Sequence, residues 1–232
     1  MNTEKIYRFP DAVRLVNSVA AGMFGDRLFD FSTAQDCNYT KFDSFAVSEE
    51  ILQRIYSLKK TLLRDAKNIF LRDPAAGSIS EVVYSYPGFF AIFCHRIAHI
   101  VYEYEIELLP RLISEYAHSL TGIDIHPGAK ICEGLAIDHG TGIVIGETAE
   151  IGEDVTIYHG VTLGSKSVVA SGKDRPQKGQ KRHPTIERGC ILCAGAMIFG
   201  KDTVIGENSV IGAGARITSS VLPNSVIRCN SN

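Results

Sequence analysis

The chain has 232 residues, of which 45% are hydrophobic and 22% charged, and its formal net charge is −2. This composition excludes a disordered or collagen-like chain and leaves room for a sizeable core, and the near-neutral charge argues against a dedicated nucleic-acid binder. No run approaches the roughly 20 apolar residues a membrane helix needs, so no membrane partner is expected.

Glycine and aromatic residues are unevenly spread. Of 21 glycines only Gly22, Gly25, Gly77 and Gly88 precede residue 121, whereas all but Tyr158 and Phe199 of the 9 tyrosines and 11 phenylalanines do. Two domains built on different principles are expected: an α-helical one over 1–120 and a second over 121–232.

In chain order, a helical pattern first runs from Val13 to Met23, and the polar stretch through Asp36, Cys37, Asn38 and Tyr39 stays unassigned. Ile51, Ile55, Leu58 and Leu62 share one stripe of a helix predicted over 48–71. A second helix begins after Pro87-Gly88, with Phe89, Phe93, Ile97, Ile100 and Tyr104 on its apolar face. Leu108, Leu112, Ile113, Tyr116 and Leu120 mark a third, with Pro110 in its first turn.

From residue 121 the period changes. Ile125, Ile131, Ile137 and Ile143 are spaced by six, with Val155 and Val161 continuing that phase. Ile145, Ile151, Ile157 and Leu163 form a parallel series that resumes at Ile205, Ile211 and Ile217, with Cys193 and Phe199 in the two preceding slots. A six-residue repeat fits no α-helix. It predicts a solenoid of short parallel strands wound into a triangular prism, with aliphatic residues inside and glycine at sharp corners. Three hexads make an 18-residue coil, which would stack Ile125 under Ile143 and Ile145 under Leu163. Such a prism has a dry interior, so ligands are expected on its outside, between copies of an oligomer.

Six cysteines (37, 94, 132, 190, 193 and 229) in a chain with no apolar leader point to a reduced, cytoplasmic setting. Cys190 and Cys193 have C-x-x-C spacing, but they fall at repeat positions with no second pair, so packing explains them better than metal or redox chemistry. The repeat is interrupted over 165–182, where Lys166, Lys173, Arg175, Lys178, Lys181 and Arg182 face a single acid, Asp174. Such a loop suits a phosphate-bearing ligand or a solvated, flexible stretch equally well.

Several segments carry a specific resemblance. Gly122-Ile123-Asp124-Ile125-His126-Pro127-Gly128-Ala129, the run from Asp138-His139-Gly140 to Gly146-Glu147-Thr148, Val161-Thr162-Leu163-Gly164 and Arg182-His183-Pro184 resemble the serine O-acetyltransferases, hexapeptide-repeat enzymes with a left-handed parallel β-helix. Upstream, Arg72-Asp73-Pro74-Ala75, Tyr86-Pro87-Gly88-Phe89 and His95-Arg96-Ile97-Ala98-His99 match the family's helical domain in order and spacing. The likeness covers roughly residues 70–218. It implies an α + β protein, helices followed by that β-helix with one extended loop, transferring acetyl from acetyl-CoA to L-serine for cysteine biosynthesis.

Such a transfer needs a base near neutral pH but no enzyme nucleophile, because the acceptor supplies its own hydroxyl. The resemblance assigns the base to His139, oriented by Asp124. It places Asp73 and Asp138 at the serine ammonium, and Arg182, assisted by His183, at the carboxylate. It sets acetyl-CoA, a co-substrate rather than a resident cofactor, in a groove between neighbouring prisms against Gly164, Ala194 and Ala213. A trimer follows, with pairing of trimers through the helices as a further state. For Asp73, a helix cap or turn before Pro74 is a competing role.

A zinc site is not expected, because His126, His139, His159 and His183 offer no close pair along the sequence. His159 stands where the family has glutamine, and the loop before Arg182 is longer than in its best-known members. The chain ends at Ser231-Asn232 without the tail and terminal isoleucine by which many members enter O-acetylserine sulfhydrylase, so no tail-mediated complex with that enzyme is expected. The alternatives are an acyltransferase for another hydroxylated amino acid, such as homoserine, and a catalytically silent scaffold or regulatory partner.

Overall fold

The computed structural model describes residues 9–24, 47–166 and 179–229. The unassigned polar stretch and most of the basic loop lie outside the described residues.

Six helices come first: α1 (Phe9–Phe24), α2 (Glu49–Ser57), α3 (Lys59–Arg72), α4 (Ile79–Ser85), α5 (Pro87–Glu103) and α6 (Leu109–Thr121). The single helix predicted over 48–71 is two helices, broken at Leu58. There the Ser57 hydroxyl donates to the Arg54 carbonyl at 2.6 Å, and the Leu58 N–H donates to Ile55 O at 3.0 Å, tightening the last turn of α2. The unforeseen α4 carries its own signal, Ser78-x-x-Glu81: the Ser78 hydroxyl caps the Glu81 N–H at 3.0 Å. Pro110 sits in the first turn of α6 as predicted, but the buried face is turned from the one read in the sequence. Leu108 and Leu120 are exposed, and Leu109, Ile113, Ser114, Tyr116 and Ala117 face inward. α5 is the central helix, buried continuously from Gly88 to Ala98.

After Gly122, which ends α6 in a left-handed conformation, the chain winds into five coils of parallel β-helix. The first holds β1 (Asp124–Ile125), β2 (Lys130–Ile131) and β3 (Ala136–Asp138). The second holds β4 (Val144–Ile145), β5 (Glu150–Ile151) and β6 (Thr156–Tyr158). The third holds β7 (Thr162–Gly164), β8 (Thr185–Ile186) and β9 (Ile191–Leu192), and the fourth β10 (Met197–Phe199), β11 (Val204–Ile205) and β12 (Val210–Ile211). The last has β13 (Arg216–Ile217) and β14 (Val226–Ile227). Strands stack into three faces: β1-β4-β7-β10-β13, β2-β5-β8-β11 and β3-β6-β9-β12-β14.

Two register expectations are corrected. Ile125 stacks on Ile145, not Ile143, whereas Ile145 stacks on Leu163 as predicted. The corner between β3 and β4 carries two extra residues, so the two hexad series exchange places there: Ile143 continues the corner series of Ala149 and Val155, and Ile145 the strand series. The slots ascribed to Cys193 and Phe199 belong to Leu192 and Ile198, which are fully buried and pair with Ile157 and Leu163. One extra residue between Ile198 and Ile205 accounts for that slip. Cys190 is buried, its thiol donating to Gly206 O at 3.1 Å, which fits its reading as a packing residue.

The helices are clamped to the first coil of the prism, at the end of β2 and the turn that leads into β3. Arg96 donates to both oxygens of Asp65, at 2.6 and 2.8 Å, and to the carbonyls of Ile131 and Cys132. Asp65 in turn accepts from the Gly134 and Leu135 N–H groups at 2.8 and 3.1 Å, so this fully buried carboxylate is satisfied from both sides of the junction. At the start of α5, Gly88 abuts Ile137 so closely that a Cβ there would overlap the Ile137 backbone. That contact brings the start of α5 onto β3, beside Asp138 and His139.

Candidate active site

The prism has three corners per coil, and two of them carry the residues singled out from the sequence. The corner after the third face holds His139 in the first coil, His159 in the second, Ala194 in the third and Ala213 in the fourth. Four glycines with positive φ, Gly142, Gly160, Gly195 and Gly214, turn the chain along this column. Backbone bonds tie each turn to the one below: Gly160 N–H to Thr141 O, Gly195 N–H to His159 O and Gly214 N–H to Ala194 O, all at 2.9 Å.

His139 has φ 59°, a conformation uncommon for a residue with a Cβ, and its side chain is 72% exposed. The extra residues at this corner thrust it outward. Its Nε2 lies 3.8 Å from Asp138 Oδ1, and its ring stands edge-on to that of His159 with centroids 5.7 Å apart. The structure does not join Asp124 to His139: among the described residues no hydrogen bond or ion pair links them. Asp124 begins β1 on the far side of the same corner, its N–H donating to Ile143 O at 2.9 Å.

The helices complete this corner. Asp73 ends α3, and its Oδ1 accepts the Ala75 N–H at 2.8 Å, which is the turn before Pro74 weighed as its competing role. Its Oδ2 accepts the Tyr86 hydroxyl at 2.6 Å, a partner the sequence reading missed. The bonds from Tyr86 and Ala75 and the charge of His139 hold Asp73 below the usual carboxylate range. Tyr86 is pushed up to about 12, chiefly by its bond to Asp73. Asp73, Asp138 and His139 therefore form one open, solvated cluster.

Arg182 and His183 lie at a different corner, between the first and second faces, where the extended loop leaves after Gly164. Here the groups are held. Arg182 pairs with Glu147, whose side chain is 5% exposed. Glu147 also accepts the Gly179 N–H at 3.1 Å and the Tyr102 hydroxyl at 3.3 Å. Burial opposes its ionisation, but the bond and charge of Arg182 and the Gly179 N–H prevail and hold it below its ordinary range. Glu147 was not singled out in the sequence. Its position two residues after the repeat aliphatic Ile145, in Gly146-Glu147-Thr148, was the only signal.

Thr148 organises His183. Its hydroxyl oxygen accepts the N–H groups of Arg182 and His183, at 2.9 and 3.2 Å, while its own N–H donates to His183 Nδ1 at 3.0 Å. Nδ1 is thus an acceptor, and the proton belongs on Nε2. Burial, then the charge of Arg182, lowers His183 to about 4. The imidazole lies flat on Gly146, where a Cβ would overlap the ring.

Within one chain the residues ascribed to serine thus split between two corners at opposite edges of the first face: Asp73, Asp138 and His139 at one, Arg182 and His183 at the other. Those ascribed to acetyl-CoA divide likewise, Ala194 and Ala213 in the column above His139 and Gly164 at the loop corner. A cavity of about 420 Å³ between Arg216 and Ile227 includes none of them. Among the described residues, no three His, Cys, Asp or Glu side chains are grouped to hold a metal ion, and no helix is long and apolar enough to cross a membrane.

Comparison with known proteins adds a second line. Residues 142–172 match the family described as hexapeptide repeat of succinyl-transferase. The serine acetyltransferase of Bacillus subtilis is 48% identical over 162 residues, covering 70% of each chain. Among solved structures, the Neisseria gonorrhoeae serine acetyltransferase in complex with serine is 37% identical, covering 76% of this chain and 70% of its own, with a TM-score of 0.67. A serine acetyltransferase in complex with CoA is 32% identical, covering 78% of this chain and 72% of its own, with a TM-score of 0.68. This chain spans 56 to 64% of the length of three other curated relatives.

Proposed function

This chain belongs to the serine acetyltransferase family, and we propose on that footing that it transfers the acetyl group of acetyl-CoA to the hydroxyl of L-serine, giving O-acetylserine for cysteine biosynthesis. The observation that carries the reading is the open corner, where two carboxylates from different elements, Asp73 and Asp138, stand beside an exposed imidazole. An amino-acid acceptor needs that pairing, an anionic seat for its ammonium next to a base for its hydroxyl.

His139 takes the hydroxyl proton as the oxygen attacks the thioester carbonyl, and returns it to the CoA thiolate as the tetrahedral intermediate collapses. Asp124 keeps its assigned part of steadying the imidazolium on the strength of the family resemblance, although Asp138 is the nearer carboxylate in this chain. The Gly164 N–H serves the oxyanion. Arg182, held by Glu147, and His183, with its proton on Nε2, take the serine carboxylate.

One chain offers these groups at two corners, so the complete site requires a second copy whose loop corner meets the His139 column. A trimer closes that arrangement with three equivalent sites. The column through Ala194 and Ala213 then lines the groove for the pantetheine arm, with coils rising about 4.8 Å apiece. The related structures bound to serine and to CoA support both ligands for this chain.

The test is CoA release from acetyl-CoA, followed with a thiol reagent, on adding L-serine, homoserine, D-serine or a sugar. Release with L-serine alone is expected. Release with homoserine alone would reassign the acceptor, and no release with any of them would support a silent scaffold.

A further inference from the structure

Tyr86 occupies a junction. It ends α4, its N–H donating to Val82 O at 3.2 Å, and it starts α5, its carbonyl accepting the Phe90 N–H at 3.1 Å. Its backbone is therefore fixed from both sides, and Gly88, two residues on, is pressed against Ile137 of β3. A side chain at an N-cap commonly caps its own helix, but the Tyr86 hydroxyl does not. It reaches across to the end of α3 and donates to Asp73 Oδ2 at 2.6 Å, the length of a strong bond to an ionised acceptor.

An ionised carboxylate has about four lone-pair sites. In Asp73 one oxygen is engaged by the Ala75 N–H and the other by Tyr86, so the group is fixed by both oxygens and keeps acceptor capacity for a cation. Without Tyr86, only the local turn would hold it.

We infer that Tyr86 is a positioning residue for the acceptor's ammonium group, its hydroxyl aiming the Asp73 carboxylate into the corner that Asp138 and His139 form. The inference rests on the function proposed above. It assigns the helices a mechanical part: α5, seated on β3 through Gly88, carries the hydroxyl that registers α3 against the prism. The charged and titratable groups around the pair are Glu81 on α4, Asp138 at the end of β3 and His139 at the corner, and each is felt by Tyr86 or Asp73.

The test is steady-state kinetics of the full chain carrying Tyr86→Phe, which keeps the ring and deletes the hydroxyl. The KM for L-serine should rise about tenfold, the size expected for losing one bond to a charged group, with kcat within about twofold and the KM for acetyl-CoA unchanged. In an Asp73→Asn background, Tyr86→Phe should add nothing further. An unmoved serine KM in Tyr86→Phe would overturn the inference, as would effects of the two substitutions that simply add, or equal rises in both KM values. If the unmodified protein releases no CoA with serine, the proposed function itself falls, and the inference with it. Normal release with an indifferent Tyr86→Phe variant sinks the inference alone.

Discussion

The two corners that flank the first face of the prism are built in opposite ways. At the His139 corner the proposed base is open to solvent, an imidazole with left-handed backbone, 72% exposed, with Asp138 beside it and Asp73 brought in by a neighbouring helix. At the Arg182 corner nearly every polar group is already spoken for, with Glu147, Thr148 and the Gly179 N–H holding the guanidinium and imidazole in place. The difference separates reactivity from recognition. A base must be free to exchange a proton, whereas a carboxylate anchor works best when its own side chains have little freedom left to lose.

Substitutions should therefore divide by corner. The largest effect belongs to His139→Ala, which should lower serine-dependent kcat by about a thousandfold, as expected for a general base. The denaturation midpoint should barely move, because the ring is 72% exposed and makes only a long ion pair with Asp138 and an edge contact with His159. Substantial residual activity would end its assignment as base. At the other corner, Glu147→Ala should cost both stability and binding. Removing the carboxylate strands Arg182 at a partly buried position, for a loss of about 2 kcal/mol in urea unfolding, together with a higher serine KM. If Glu147→Ala leaves stability untouched, the contrast between a held and a free corner is lost.

A smaller effect is expected from Gly146→Ala, whose added methyl displaces the His183 ring. A penalty of about 1–2 kcal/mol should appear with a lower kcat/KM for serine. A pH effect belongs to the same corner. Folding lowers His183 from its ordinary 6.5 to about 4, so between those values the unfolded chain binds a proton the folded one does not. Stability should therefore fall as pH drops from about 6.5 towards 4, and urea titrations of His183→Asn across that window should show a shallower decline.

The sequence revealed more of the prism than of the site. Ile145 and Leu163 are 18 residues apart and stack as hexad arithmetic demands, because both lie in coils with ordinary corners. Ile125 and Ile143 do not, because the corner between them has extra residues, and hexad counting assumes corners of equal length. That same irregularity pushes His139 outward, so the register error and the exposure of the proposed base have one cause. Asp73, Asp138, His139, Arg182 and His183 were visible through the family motifs. Their division between corners was not, since stacking depends on coil lengths that the basic loop obscures. Tyr86 and Glu147 also stayed hidden, because each acts by bonding to another side chain rather than by its place in a repeat.

In the proposed site the acceptor is held between the His139 corner of one copy and the Arg182 corner of the next. Mixing separately inactive His139→Ala and Arg182→Ala chains by joint refolding tests it directly. Random trimers that hold both kinds of chain, about three quarters of the total, each contain one intact site in three, so about a quarter of the wild-type activity should return. If the mixed oligomers form and remain as inactive as either parent, both corners must serve the same chain and the shared site is wrong.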